Sequence, residues 1–440
     1  MTRIQTYPDP TKNKKSILWL LLNVLLAALL PDFLSPALPV LCLIFYLREN
    51  RKSIPLPRPE PLVLSVAVFL LWRMVGCLYS GGFWLNGLSI NFLWFLGFLG
   101  MYLAAVLIRD KQTLEKALYF GALSGGIAGG IGTAQILIFK MKGTFTPAQR
   151  TFFNPFWEWL NRLAAKLMTL SIVPEFIKNE IPRAVPIDIN DRANSTFTNP
   201  VFFACFMVIA FPLAVWGILQ LKERKKRLLC AGSALCMLGG LAFSYSRGPY
   251  LALGAAVFVL LFLDKRSIFV LLGASPLAGL AMWKTGMLDR LLTIFSSTDV
   301  SINTRTDIWK AVLELLREKW LFGLGTGVEP LRKILTEQYG IKQPHAHNLP
   351  LELLIESGIL GLLLFAGIVG LFAWQMLRLC RVSQDARRFA VCLLAAVCGF
   401  LACGVTEYIF YGPKLVQFFL LILGVAQAGG LVLRERDAAS

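Results

Sequence analysis

Charge is scarce in this chain. Of its 440 residues only 16% are Asp, Glu, Lys or Arg, against a hydrophobic fraction of 56%. A soluble globule cannot bury that much apolar surface, so a soluble domain is excluded and a lipid-facing protein remains. Histidine is scarcer still: the 2 in the sequence are His345 and His347, two residues apart. The 9 cysteines lie within apolar runs or at their expected cytoplasmic edges, so neither a disulfide framework nor a thiolate metal site is expected. No removable leader is expected either. The basic start and first apolar run have no small-residue cleavage site before Pro31, so that run is expected to be retained.

What is present is a series of apolar runs. A bilayer core asks for about 20 apolar residues per helix. The runs fall near 16–33, 34–47, 62–80, 88–108, 117–139, 199–221, 228–245, 249–263, 267–283, 349–373, 389–406 and 414–432. They predict an all-α, polytopic membrane bundle of about 12 transmembrane helices, with residues 1–440 as one integral membrane domain. Every second connector is basic: Lys12, Lys14 and Lys15; Arg48, Arg51, Lys52 and Arg58; Arg109 and Lys111; Lys222 to Arg227; Lys265 and Arg266; Arg378 to Arg388; Arg434 and Arg436. Cationic connectors stay on the cytoplasmic side, which puts both termini there. The same clusters account for much of the net charge of +18. Being periodic and juxtamembrane, they imply contact with membrane lipids and no nucleic acid.

Two connectors are long, 140–198 and 284–348, and both are expected outside. In the first, Phe153, Phe156, Trp157, Leu160, Leu163 and Leu167 share one face of a predicted interfacial helix. In the second, Thr304 and Asp307 form a capping box ahead of a helix over about 305–320. Gly323, Gly325 and Gly327 follow, and Pro330 opens a further helix that should stop at Gly340. These glycines read as a helix-ending turn rather than a phosphate cradle, because no Lys-Ser/Thr pair accompanies them.

Arg192, Arg247 and Arg305 stand at the outer ends of helices, Arg305 beside the exposed N–H groups of a first turn. Each alone reads as interfacial snorkelling. Together they suit a diphosphate, because a guanidinium stays charged and offers a planar fork to two oxygens.

These residues carry a resemblance. Arg-Ala-Asn-Ser-Thr-Phe-Thr-Asn-Pro at 192–200, Ser-Tyr-Ser-Arg-Gly at 244–248, Arg305 with Trp309, Gly-Leu-Gly at 323–325, and His347-Asn348 followed by Glu356-Ser357-Gly358 recur in that order. The chain resembles the O-antigen ligase and O-antigen polymerase superfamily of bacterial envelope glycosyltransferases. The resemblance implies a C-type glycosyltransferase-like architecture in the bacterial cytoplasmic membrane, with an extracytoplasmic active site. It further implies a lipid-linked glycan donor on undecaprenyl diphosphate, a glycan or lipid acceptor, and no cofactor.

The residues themselves fit such chemistry. A lipid diphosphate is a good leaving group, so cations must hold its charge and a base must take the acceptor proton. The three arginines match the first task and His347 the second. Glu352 and Glu356, one helical turn apart at the start of a span, either orient the histidine or serve as polar partners of the arginines. His345 and Asn348 flank His347 as further candidates. The histidine pair could ligate a metal, but no third ligand with usable spacing accompanies it, so no metal is expected. A transporter or flippase, with Arg73 as a midplane cation, is the competing class. A structural subunit of an envelope assembly is the third. The acceptor stays open between a lipid-anchored sugar, another repeat unit and a protein hydroxyl.

Overall fold

A computed structural model of the chain describes residues 9, 11–30, 34–51, 60–142, 192–263 and 300–439. Among these residues the regular elements are all helical. They are α1 (Lys14–Leu26), α2 (Ala37–Glu49), α3 (Pro61–Leu78), α4 (Trp84–Leu107), α5 (Lys111–Lys142), α6 (Pro200–Gln220) and α7 (Arg224–Ser244), followed by α8 (Arg247–Leu263), α9 (Val300–Lys319), α10 (Val328–Tyr339), α11 (Leu349–Leu379), α12 (Gln384–Cys403) and α13 (Pro413–Ala439).

Eight of the described helices are long and apolar enough to cross a membrane, and Arg247–Phe262 is a shorter apolar helix. The chain is therefore a polytopic helical membrane protein. The first two expected spans are corrected: α1 and α2 have 13 residues each, a rise of about 20 Å against a hydrocarbon core of about 30 Å. They pack on each other as a hairpin. Glu49, at the end of α2, accepts the first N–H groups of α1 from Lys15 and Ser16 at 2.9 and 3.0 Å. A carboxylate satisfying helix-start donors fixes the pair without any need to traverse the bilayer. The expected span at 267–283 and the interfacial helix near 153–167 lie outside the described residues.

α6 is the central post. Its sequence is apolar all round, with no amphipathic stripe, and from Phe202 to Gly217 every residue is buried. It packs against α5, α7 and α12. α5 meets α7 through glycines: a Cβ on Gly129 would stand 2.5 Å from the Cys236 carbonyl oxygen. Small residues at such crossings let backbones approach where no water is left to expel.

Two of the described basic connectors meet at one end of the bundle. Arg109 turns back on α4 to donate to the carbonyls of Ala105 and Val106, and Lys111 meets Asp385 at 2.6 Å. The opposite end carries α9 and α10. Ile308, Val312, Leu316, Leu331, Leu335 and Ala346 form a second small core that includes Ile355 of α11. That core seats the helical hairpin on the bundle, each buried aliphatic side chain contributing roughly 1.5–3 kcal/mol.

The hairpin is also pinned through a break in α11. Gly358 has φ 66° and ψ −174° inside an otherwise continuous helix. A Cβ there would meet the Leu321 carbonyl oxygen at 2.0 Å, so only glycine admits the turn after α9. The groups freed by the break are used: Leu324 N–H donates to Ile355 O at 2.7 Å, Ile359 N–H to Trp320 O at 2.9 Å, and Trp72 Nε1–H to Ser357 O at 2.8 Å. The glycine-rich turn proves to be a clasp. Thr326 N–H reaches Gly76 O, while Asn86 Oδ1 accepts from Val328 and Glu329, leaving those donors committed to protein.

Candidate active site

Three described non-glycine residues adopt a left-handed backbone: Ser195, Tyr245 and His347, with φ of 52°, 49° and 49°. Each falls in a different one of the polar segments singled out from the sequence. Backbone strain of this kind persists only where its surroundings over-determine it, and it gathers at functional sites.

The surroundings can be named. Gln135 Nε2–H donates to Ser195 O, and Ser195 N–H donates to Gln135 Oε1, at 3.2 and 2.9 Å. Buried Lys414, at the start of α13, donates to Thr196 O at 2.6 Å. Arg192 splints that segment to the next one, donating from Nε to Ser244 O and from Nη2 to Ser246 Oγ, both at 2.8 Å. Arg247, half-buried, opens α8, and its neighbour Gly248 abuts the side chain of Thr406.

Beside Thr406 stands Glu407, in the connector from α12 to α13, and the histidines converge on it. His347 Nδ1 lies 2.8 Å from Glu407 Oε1 and His345 Nδ1 lies 3.7 Å from the same oxygen. Arg305 Nη2 is 3.8 Å from Oε2. Burial pushes the Glu407 carboxyl upward, but the hydrogen bond from His347, the histidine pair and Arg305 outweigh it and hold Glu407 below its ordinary value. Ionised Glu407 fixes the His347 tautomer, with Nδ1–H donating and the Nε2 lone pair turned away. Gln343 Oε1 lies 3.4 Å from Nε2; both atoms are acceptors in this tautomer, so no hydrogen bond engages the Nε2 lone pair there. Burial depresses His345 to about 4, so it is neutral near pH 7. The two rings sit edge to face, 4.2 Å between centroids.

The peptide between the histidines is held from both sides. Ala346 N–H donates to Glu352 Oε2 at 2.5 Å, and Trp309 Nε1–H, from α9, donates to Ala346 O at 2.9 Å. Asn348 caps α11, accepting from Leu351 N–H at 3.0 Å, and donates to Val405 O at 2.9 Å.

The structure thus brings His345, His347 and Arg305 together around Glu407, sets Asn348 to capping the adjoining helix, and ties Arg192 to the turn that precedes Arg247. It does not join Glu352 or Glu356 to His347. Glu352 holds the Ala346 backbone, and Glu356 pairs with Arg73 at 2.9 Å. The orienting carboxylate is Glu407, 60 residues along the chain from His347, which sequence reading passed over. A signal existed: Glu407 and Lys414 are ionisable residues in and beside a short connector between two apolar runs. The third ligand judged missing is corrected in the same stroke, since Glu407 stands with both histidines. The capping box at Thr304 is corrected too. α9 begins at Val300, so Arg305 lies in its second turn and an anion there would not meet the exposed first-turn donors.

Comparison with known proteins finds likeness over part of the chain. A family model described as O-antigen ligase matches residues 232–366, a stretch that includes Arg247, Arg305, both histidines, Glu352 and Glu356. An O-antigen ligase from Pseudomonas aeruginosa is 31% identical over 217 residues, which cover 47% of this chain. The match spans about half the length of that relative, 49%. Over the matched residues the chain is therefore similar to O-antigen ligases.

Proposed function

We propose that the protein transfers a glycan from an undecaprenyl-diphosphate-linked donor to a glycan or lipid-linked acceptor on the outer side of the bacterial cytoplasmic membrane, without a metal. The observation that carries this reading is the Glu407–His347 pair. A buried carboxylate accepts the hydrogen bond from Nδ1–H of the imidazole and leaves Nε2 basic, which is what an acceptor hydroxyl requires of a general base. In the step proposed, the hydroxyl oxygen bonds to the anomeric carbon as the carbon–oxygen bond to the diphosphate breaks. Nε2 receives the hydroxyl proton, and the departing diphosphate charge is met by Arg305 and Arg247, with Arg192 bracing the turn that presents Arg247.

The test is purified full-length protein in detergent with a lipid-diphosphate glycan and candidate acceptors, following which acceptor is elongated. Arg305→Ala is expected to weaken donor binding as well as transfer, and Arg305→Lys is expected to fail with it, because an ammonium cannot supply the two-oxygen fork. Activity is expected to survive exhaustive chelation. Transfer abolished by chelator and restored by one divalent ion would overturn the metal-free assignment.

The outer placement rests on the basic end of the bundle lying opposite the histidines. Single cysteines at positions near 247 and 330 are expected to react with an impermeant reagent added outside intact cells. Labelling only after permeabilisation would reverse the orientation.

A further inference from the structure

The same cluster has the makings of an ion site. Donor atoms of His345, His347 and Glu407 all lie within 4.8 Å of one another, two of the residues buried and one half-buried. Both imidazoles direct Nδ1 at one carboxylate oxygen, from 2.8 and 3.7 Å. Bonds of about 2.0–2.2 Å to a tetrahedral ion place neighbouring donors about 3.3–3.6 Å apart, and the two separations bracket that range. His345 Nδ1 already accepts the His347 backbone N–H at 3.3 Å. That nitrogen therefore carries no proton toward Glu407 Oε1, and an ion between the two would take its lone pair in place of this long hydrogen bond. Two imidazoles and a single carboxylate suit zinc, cobalt or nickel and are a poor set for magnesium or calcium.

We propose that His345, His347 and Glu407 form a binding site for a divalent transition ion of the zinc type, and that an ion bound there silences His347. The inhibitory half rests on the function proposed above; the binding half does not. With the ion on Nδ1, the imidazole proton must move to Nε2, and no proton is lost overall. Nε2 then donates where it had accepted, so it no longer receives the acceptor proton. The Arg305 guanidinium, 3.8 Å from Glu407 Oε2, opposes a second positive charge. The site therefore fills when the ion is supplied and is empty after chelation, in keeping with activity that needs no metal.

Cobalt is the probe. Co²⁺ titrated into chelator-stripped full-length protein in detergent is expected to develop one saturable equivalent of tetrahedral visible absorption, bleached by Zn²⁺ and untouched by Mg²⁺. His345→Ala and, separately, Glu407→Gln should each weaken cobalt binding at least about tenfold, with unchanged gel-filtration elution showing that the fold holds. Cys398→Ser, which removes an exposed thiol elsewhere, should leave the spectrum as it was. Absence of the tetrahedral spectrum, or a spectrum indifferent to both variants, overturns the site. Zinc added to the transfer reaction is expected to stop it, with recovery on chelation; transfer undisturbed while cobalt binding saturates overturns the inhibitory half. A protein that binds cobalt in this way but transfers nothing refutes the proposed function and leaves the ion site standing.

Discussion

His347→Ala is expected to lower glycan transfer by about 10² to 10⁴-fold, roughly 3 to 5 kcal/mol of barrier, while donor binding stays near its native value. The asymmetry follows from what changes during the reaction. The acceptor proton moves only in the transition state, whereas the diphosphate is charged before and during it, so the base contributes to rate and the arginines contribute to both rate and affinity. Glu407→Gln tests the same unit from its other side. The amide keeps the shape of the carboxylate but loses the charge that holds Nδ1–H in place across 2.8 Å. Transfer should fall with little change in donor affinity, and the double variant should be scarcely worse than His347→Ala alone, because the two residues act as one device. Single-turnover transfer and equilibrium donor binding, measured on the same stably inserted variants, separate these effects. Full activity in His347→Ala would remove the base and favour a carrier without covalent chemistry.

Much of the fold was legible because lipid-facing helices advertise themselves by length and apolarity. α3 to α7 and α11 to α13 fall within a few residues of the expected runs. The failure at α1 and α2 is instructive. An apolar count over 16–47 cannot see that the helices stop at Leu26 and Glu49, or that Glu49 folds the second back onto the first. The histidines and Arg305 were legible because each is a rare residue in a rare place. Glu407 was not, because nothing local connects it to His347; the contact exists only once α11 and α12 have packed and Leu349 N–H has reached Gly404 O at 2.7 Å. Glu352 and Glu356 misled for the same reason. Their spacing put them near the histidine in sequence, but helix geometry turns one to the Ala346 backbone and the other across to α3. The glycines at 323–327 were read correctly as a turn, yet their partners, the end of α3 at Gly76 and the start of α4 at Asn86, are remote in the chain, with 242 residues between Val328 and Asn86.

The largest expected loss of stability lies at Arg73 and Glu356. Arg73 Nη1 meets Glu356 Oε2 at 2.9 Å, with side-chain exposures of 0% and 1%. Arg73 Nε–H also donates to Asn91 Oδ1 at 3.0 Å, and its guanidinium lies over the Trp94 ring at 5.2 Å. Tyr408 O–H donates to the same Glu356 oxygen at 3.2 Å, which places this pair one residue from Glu407. The sequence offered Arg73 as the midplane cation of a carrier; the structure commits it to a carboxylate across the helix interface. Arg73→Met should strand Glu356 and lower stability by about 3 to 5 kcal/mol, read as a drop in detergent melting temperature. Arg73 Nη2 and Glu356 Oε1 take no hydrogen bond among the described residues, so the pair itself is incompletely satisfied. Replacing both ends, Arg73→Met with Glu356→Leu, should therefore return most of the loss, since an apolar contact removes both desolvated charges at once. If transfer returns along with the melting temperature, the pair is a structural tie that sets Tyr408, and hence Glu407, in place. A double variant that melts like the native protein yet transfers nothing would give Glu356 the catalytic role expected from the sequence, acting on substrate rather than through the fold.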